Sequence, residues 1–300
     1  MSSDAVLTFD GRVAVVTGAG RGIGRAYALL LGARGAHVVV NDLGSSTGGE
    51  GSDAGPAALV VDEIAAAGGS AIADTNDVST VEGAEALVGA AVSQWGRIDA
   101  LINNAGIIRF AGLPDADLDN LDAHLDVHVR GTFNTIKAAW PHFTAASYGR
   151  VVNTTSSGVF GLPVNLAYAT AKGGVIGMTR SLASMSEQLG IRVNAIAPAA
   201  STRMGARKKG DDPEMDPALV APMAAYLAHE SCPVNGEVYT AGAGRFARLF
   251  LAATSGYVQD SPTIEDVEAH WAQINDESGY AVPANLIDWS GRHLSHLDPS

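Results

Sequence analysis

Short, almost unbroken apolar runs alternate along the chain with longer segments of helical spacing. The runs are VAVVT at 13–17, HVVVN at 37–41, SAIADT at 70–75, ALINN at 100–104, RVVNTT at 150–155 and RVNAIA at 192–197. Strands of this kind are buried on both faces, as in a parallel sheet covered by helices. The intervening ALLLGARGA, PAALVVDEIAAAGG and VEGAEALVGAAVSQWG carry apolar residues three and four apart and close at or beside glycine, a common helix terminator. The alternation predicts a single α/β domain built on a doubly wound parallel sheet. That domain is expected over 1–255. Residues 256–300 form a C-terminal extension that packs on the same domain or on a neighbouring subunit, with IEDVEAHWAQI reading as helix. GSSTGGEGSDAG at 44–55 and RMGARKKGDDPEMDP at 203–217 read as loops.

Composition narrows the function classes. A chain of 300 residues that is 47% hydrophobic can bury one large core. No apolar run approaches the ~18 residues that span a bilayer. The opening MSSDAVLTFDGR also lacks the basic-then-apolar order of a signal peptide, so a cytoplasmic protein without membrane contacts is expected. The lone Cys232 excludes an internal disulfide, and the eight histidines form no HExxH spacing, so no metal site is expected. A net charge of −13 opposes non-specific binding to nucleic acid, which relies on basic surface.

The first strand runs directly into TGAGRGIG, where Gly18, Gly22 and Gly24, with Arg21 and Ile23 between them, lead into a helix. Glycine permits the tight turn and lets the amides of a helix N-terminus approach a pyrophosphate. Asp42 closes the second strand, near the ~20-residue offset of a ribose-binding acid. A carboxylate there accepts from the adenosine ribose hydroxyls and repels a 2′-phosphate, which favours NAD over NADP; Arg21 is a counterweight. Strand, glycine turn, helix and acid together make the expected fold Rossmann-type.

With TGAGRGIG, NDV at 76–78, NNAG at 103–106 and YATAK at 168–172 in this order, the chain resembles the short-chain dehydrogenase/reductase family over about residues 10–245. The resemblance implies that Asp77 and Val78 face the adenine. It also implies that Asn103, Asn104, Ala105 and Gly106 support the dinucleotide and the central sheet. IAPAAST at 196–202 would approach the nicotinamide, with Pro198 beside it and Thr202 as a side-chain contact.

Tyr168 and Lys172 lie four apart on a predicted helix and project from one face. A Lys ammonium beside the phenol would favour the phenolate and lower a pKa that is ordinarily about 10. Tyr168 then suits a general base for an alcohol proton, and a general acid in reverse. By the resemblance, Lys172 also reaches the nicotinamide ribose. Counting from Asn153 in NTTSSG selects Ser156 to hold the substrate oxygen. Ser157 stays open as the alternative, because the interval to Tyr168 is one residue shorter than the usual family spacing. His128, in LDVHVRGTF, occupies a place where many members have an asparagine that helps hold a water near the lysine, and it is expected to support the relay.

The HxRG form at 128–131, the segment GRAYALLLGARGAHVVVNDLG, the Gly-rich insertion at 44–55 and APMAAYLAHESCPVNGEVYTAGAGRFARL are similar to one branch of the family. That branch is the (3R)-hydroxyacyl-CoA dehydrogenase unit of peroxisomal multifunctional enzyme type 2, with its bacterial standalone relatives. The resemblance implies NAD-dependent interconversion of a (3R)-hydroxyacyl-CoA and a 3-ketoacyl-CoA. It further implies a dimer or tetramer paired through helices at about 118–142 and 166–189. The closing LDPS is not the peroxisomal SKL address, so a standalone bacterial-type enzyme is expected. Segments 107–114, 158–166 and 203–217 should cover the substrate, and Arg203, Arg207, Lys208 and Lys209 form a basic cluster suited to CoA phosphates or a solvated loop. Two other readings compete: a dehydrogenase of a steroid, terpenoid or other secondary alcohol, and an idle NAD-binding regulatory protein. The proton-relay residues count against the last.

Overall fold

The computed structural model describes residues 6–204 and 212–297, so Arg207, Lys208 and Lys209 of the expected basic cluster lie outside the described residues. The chain divides into two compact units, one running through Arg248 and the other beginning at Leu249.

In the first unit, β1 (Val13–Thr17), β2 (His37–Asn41), β3 (Ser70–Asp74), β4 (Ala100–Asn103), β5 (Gly149–Thr154), β6 (Ile191–Pro198), β7 (Val238–Gly242) and β8 (Arg245–Leu249) form one sheet in the order β3-β2-β1-β4-β5-β6-β7-β8. The pairings from β3 to β7 are all parallel. The continuous apolar runs have a direct cause in the two cores. Ala14, Val16, Val38, Val40, Ile102, Val152 and Ile196 point to one face; Val13, Val15, Val39, Leu101, Val151 and Val193 point to the other. Successive strand residues alternate sides, so a sheet covered twice leaves no polar positions between them. The first face is covered by α1 (Gly22–Ala33), α2 (Gly55–Ala66) and α7 (Ala221–Ala228), and the second by α3 (Val81–Trp95), α5 (Gly131–Ala146) and α6 (Leu166–Ser186). The short α4 (Leu118–His124) precedes α5, and a π-helical turn, Leu125–Arg130, joins them.

The expected strands agree with the observed ones to within one residue at either end. Asn104 leaves the ladder because its amide turns across to β1, donating to the carbonyls of Thr17 and Gly18 at 3.0 Å each. Strand β8 was not anticipated. Ala243 and Gly244, at φ 49° and 70°, make a two-residue hairpin turn, which sets β8 antiparallel to β7.

Within the second unit the expected helix over IEDVEAHWAQI is broken into α8 (Ile264–Ala269) and α9 (Trp271–Ile274), followed later by α10 (Leu286–His293). The break is His270, whose ring stacks on Tyr257 at 3.7 Å while Nδ1 bonds the Asp266 carbonyl at 2.8 Å. Among the described residues no helix is long and apolar enough to cross a membrane.

Candidate active site

Parallel pairing brings the C-terminal ends of β1, β4, β5 and β6 to one edge of the sheet, where α/β folds of this kind bind their ligands. A cleft of about 400 Å³ opens there. Gly18, Arg21, Gly22, Ile23, Gly24 and Asp42 line it from β1, α1 and β2; Asp77, Val78, Asn104, Ala105, Gly106 and Thr202 line it from the other loops. Pro198 ends β6 and is not part of the lining.

Two features make this cleft fit a dinucleotide. Gly18 sits at φ 61°, and a Cβ there would stand 2.8 Å from the Ala105 Cα, so the turns after β1 and β4 touch through backbone alone. Thr17 Oγ1 fastens them by accepting the amides of Asn104 and Ala105 at 3.0 Å each. Beyond that junction, α1 begins at Arg21 with no side-chain cap and no acid in its first turn. Its leading N–H groups are therefore free to meet an anion. Asp42 is fixed beside them, one carboxylate oxygen accepting from the Gly20 amide and the other from Gly44, both at 2.7 Å. Arg203 lies on the same side, and burial and the charge of Arg21 pull its pKa down while Asp42 acts the other way.

The insertion at 44–55 has a definite place. Its Thr47 carbonyl accepts the Ile108 amide at 2.9 Å, and its Gly48 carbonyl accepts Arg109 Nε at 2.7 Å. Since β2 and β4 flank β1 in the sheet, this strap bridges the glycine turn, and Ser45, Ser46 and Thr47 line the cleft from it. The sequence reading recognised the loop but not its span, which depends on an anchor 61 residues away in the chain.

Ser156, Tyr168, Lys172 and His128 do not line that cleft; they gather beside it, behind Gly106 and Ile107. Tyr168 is half-buried in the first turn of α6, and its ring and the Ser156 Oγ flank Gly158, 3.4 and 3.3 Å from where a Cβ would stand. The Ser156 Oγ accepts the Gly158 amide at 3.0 Å, whereas Ser157 is exposed at the start of a 3₁₀ turn. Lys172 is 3% exposed; its Nζ donates to the Thr154 carbonyl at 2.7 Å and lies 5.6 Å from the Tyr168 ring centroid. Here the sequence expectation needs correction. Burial pushes the Tyr168 phenol up, with the Ser156 hydrogen bond opposing it, and burial pushes Lys172 down to about 7. Spacing placed the two groups together, but it could not reveal that burial governs both of them.

The π-helical turn stacks His124 against His128, with ring centroids 5.9 Å apart, and sets both edge-on to Tyr168 at 6.1 Å and 5.3 Å. Both imidazoles are held down from their ordinary pKa, chiefly by burial and further by the Lys172 charge, His128 the more strongly. His128 Nε2 lies 2.9 Å from the Ile107 carbonyl, while His124 Nε2 accepts the Arg109 amide at 3.2 Å. Sequence reasoning missed His124, although the spacing in HLDVH was its signal. Behind the site, Asn103 donates to Asn153 at 3.0 Å and accepts from Thr135 at 2.7 Å, tying β4, β5 and α5 together.

Known proteins share this architecture. The profile of the short chain dehydrogenases matches residues 12–212. A short-chain type dehydrogenase/reductase of Mycobacterium tuberculosis is 42% identical over 275 residues, covering 90% of this chain and 96% of that protein. Peroxisomal multifunctional enzyme type 2 of Drosophila melanogaster is 42% identical over 99% of this chain, which spans only 50% of that enzyme's length. Its full-length structure superposes with a TM-score of 0.80 at 36% identity, over 97% of this chain and 50% of that one. The crystal structure of a short chain dehydrogenase from Mycobacterium avium gives 0.79 at 35% identity, covering 89% and 95% of the two chains. On the matched profile, the identities and the shared fold, this chain belongs to the short-chain dehydrogenase family.

Proposed function

We propose that the enzyme interconverts a (3R)-hydroxyacyl-CoA and the corresponding 3-ketoacyl-CoA, with NAD as its cofactor. The observation that carries the chemistry is the meeting of Ser156 and the Tyr168 ring beside Gly158, with the buried Lys172 Nζ 5.6 Å from the ring centroid. The substrate class rests on the likeness to the peroxisomal multifunctional enzymes and to the peroxisomal hydratase-dehydrogenase-epimerase of Neurospora crassa, 40% identical over 94% of this chain and 32% of that enzyme.

In the oxidative direction Tyr168 Oη takes the proton of the C3 hydroxyl. Ser156, its Oγ steadied by the Gly158 amide, donates to the same substrate oxygen. Lys172, poised near neutrality, in its protonated state stabilises the phenolate that must exist before Tyr168 can act as a base. The uncapped N-terminus of α1, Asp42 and the turn at Asn104–Gly106 would hold NAD, which would supply the hydride acceptor when bound. His128 fixes the backbone at Ile107, between relay and cleft, through its Nε2.

Purified protein tests this through NADH formation from (3R)- and (3S)-3-hydroxyacyl-CoA and from a panel of steroid and terpenoid alcohols. Turnover of the (3R) epimer alone is the expected result; turnover confined to free alcohols would overturn the substrate assignment. NAD preference has its own test. Asp42→Ser removes the negative charge that opposes a 2′-phosphate and keeps a hydroxyl acceptor. It should lower kcat/KM with NAD at least ~10-fold and raise it with NADP, where Arg21 and Arg203 are nearby to receive the phosphate. An unchanged NAD/NADP ratio would remove Asp42 from cofactor selection.

A further inference from the structure

Glycine loses more conformational freedom on folding than any other residue, so a glycine-rich segment takes one path only where bonds hold it there. GSSTGGEGSDAG at 44–55 is held at both its neck and its tip. At the neck the Asp53 amide donates to the Leu43 carbonyl at 3.0 Å, and Gly44, at φ 77°, brings the two limbs so close that a Cβ there would collide with the Asp53 carbonyl. At the tip the Ser46 amide donates to the Glu50 carbonyl at 2.8 Å, and Ser46 Oγ accepts the amides of Gly48 and Glu50 at 3.3 and 3.1 Å. A loop closed at its neck and bonded across its tip behaves as one body.

The loop after β4 fixes that body over the cleft. The Ile108 amide donates to the Thr47 carbonyl at 2.9 Å and Arg109 Nε to the Gly48 carbonyl at 2.7 Å, while Gly49 seats against Ile107, whose Cγ2 would lie 3.2 Å from a Cβ at that position. Arg109 reaches across from a backbone that is itself pinned, its amide donating to His124 Nε2 and its carbonyl accepting Asn120 Nδ2, each at 3.2 Å. Ser45, Ser46, Thr47 and Gly49 line the cleft from the strap, and Ile107 and Arg109 line it from the β4 side. The junction therefore closes above the glycine turn, where the pyrophosphate in the middle of a dinucleotide would lie. A strap across the middle of an extended ligand has to lift before the ligand can pass in either direction.

We propose that Arg109 is a positioning residue that latches the 44–55 strap across the dinucleotide, so that its release gates both entry and exit of the cofactor. This rests on the cleft as the dinucleotide site, whichever nicotinamide cofactor fills it. The guanidinium acts through the Gly48 carbonyl, an atom of the strap's backbone, and the kinetics distinguish this from a direct grip on the ligand. A side chain that simply touches the cofactor slows its departure and leaves its arrival unchanged. A latch slows both, because the strap opens through the same bond whether the cofactor is coming or going.

The test is stopped-flow fluorescence on the full chain, with NADH and NADPH each mixed with protein for the association rate constant and each displaced by excess oxidised cofactor for the dissociation rate constant. Arg109→Leu removes the latch. Both rate constants should rise about 10-fold or more, the scale of a lost hydrogen bond from a charged donor, while Kd stays within about 3-fold of wild type. Gly49→Ala loosens the same junction from the strap side, since its Cβ presses on Ile107 from a backbone at φ 92°, and it leaves the Arg109 charge in place. It should act in the same direction, and it covers the case in which the leucine variant does not fold. A parallel rise in both constants in either variant sustains the latch. A rise confined to dissociation makes Arg109 a direct cofactor contact and overturns it, as do rates that neither variant alters. A wild type that binds neither dinucleotide removes the cofactor site and the latch together.

Discussion

A Tyr168→Phe enzyme is expected to lose ~10²–10⁴-fold in kcat, the range associated with removing a positioned acid or base. Cofactor affinity and thermal midpoint should stay near wild type. The phenylalanine ring keeps the edge contacts with His128 and His124 and loses only the hydroxyl. The pH dependence separates a chemical role from a packing role. Burial raises the Tyr168 phenol, so the base form is scarce at neutral pH and alcohol oxidation should rise with pH, less steeply above about 7, where Lys172 loses the proton that favours the phenolate. Ketone reduction uses the protonated phenol, which burial holds above its ordinary value of 10, and should not fall through loss of that proton up to pH 10. The residual activity of the phenylalanine variant should not show the rise in oxidation. Steady-state rates in both directions between pH 6 and 10 would check this, and a variant with wild-type kcat would remove Tyr168 from the proton transfer.

Local motifs were legible because their physics is local. The glycine turn, the strand-end Asp42 and the Tyr168–Lys172 spacing each depend on a few neighbouring residues, and the structure sets the first two in one cleft. The six strands were legible because both faces of the sheet are covered, which leaves a continuous apolar signature. Strand β8 had no such signature, since four of its five residues are exposed and its pairing follows from the Ala243–Gly244 turn. The roles of His124 and Arg109 were hidden for another reason. They arise where separate segments meet: the π-helical turn beside the loop after β4, and that loop beside the 44–55 strap. No periodicity within one segment encodes such meetings. Nor does sequence disclose the balance at Lys172, where burial rather than the charge of a neighbour sets the protonation state.

That balance predicts that Lys172 weakens the fold it serves. The side chain is 3% exposed, and burial lowers it from 10.5 to about 7. Below pH 7 both the folded and unfolded chains carry the proton, and the folded state bears the full cost of the buried ammonium. Between pH 7 and 10.5 the unfolded chain holds a proton that the folded chain has released, so this contribution makes stability rise with pH across that window. Lys172→Met keeps the length and removes the charge, at the expense of the hydrogen bond to the Thr154 carbonyl. The net gain at pH 6.5 should be about 2 kcal/mol. In a protein of this size that corresponds to roughly 5 °C in Tm. The advantage should shrink toward pH 9.5, where the wild-type lysine has largely lost its proton in the folded state. Above pH 10 Tyr27 and Tyr168, both pushed up by burial, lower stability in the two proteins alike, so the difference between them is the informative quantity. Thermal unfolding of cofactor-free wild type and variant at the two pH values measures it. A gap that stays constant, or a wild type that is the more stable at pH 6.5, would show that the buried amine costs the fold nothing. The same variant should be inactive, because a methionine cannot supply the positive charge that the Tyr168 phenolate requires.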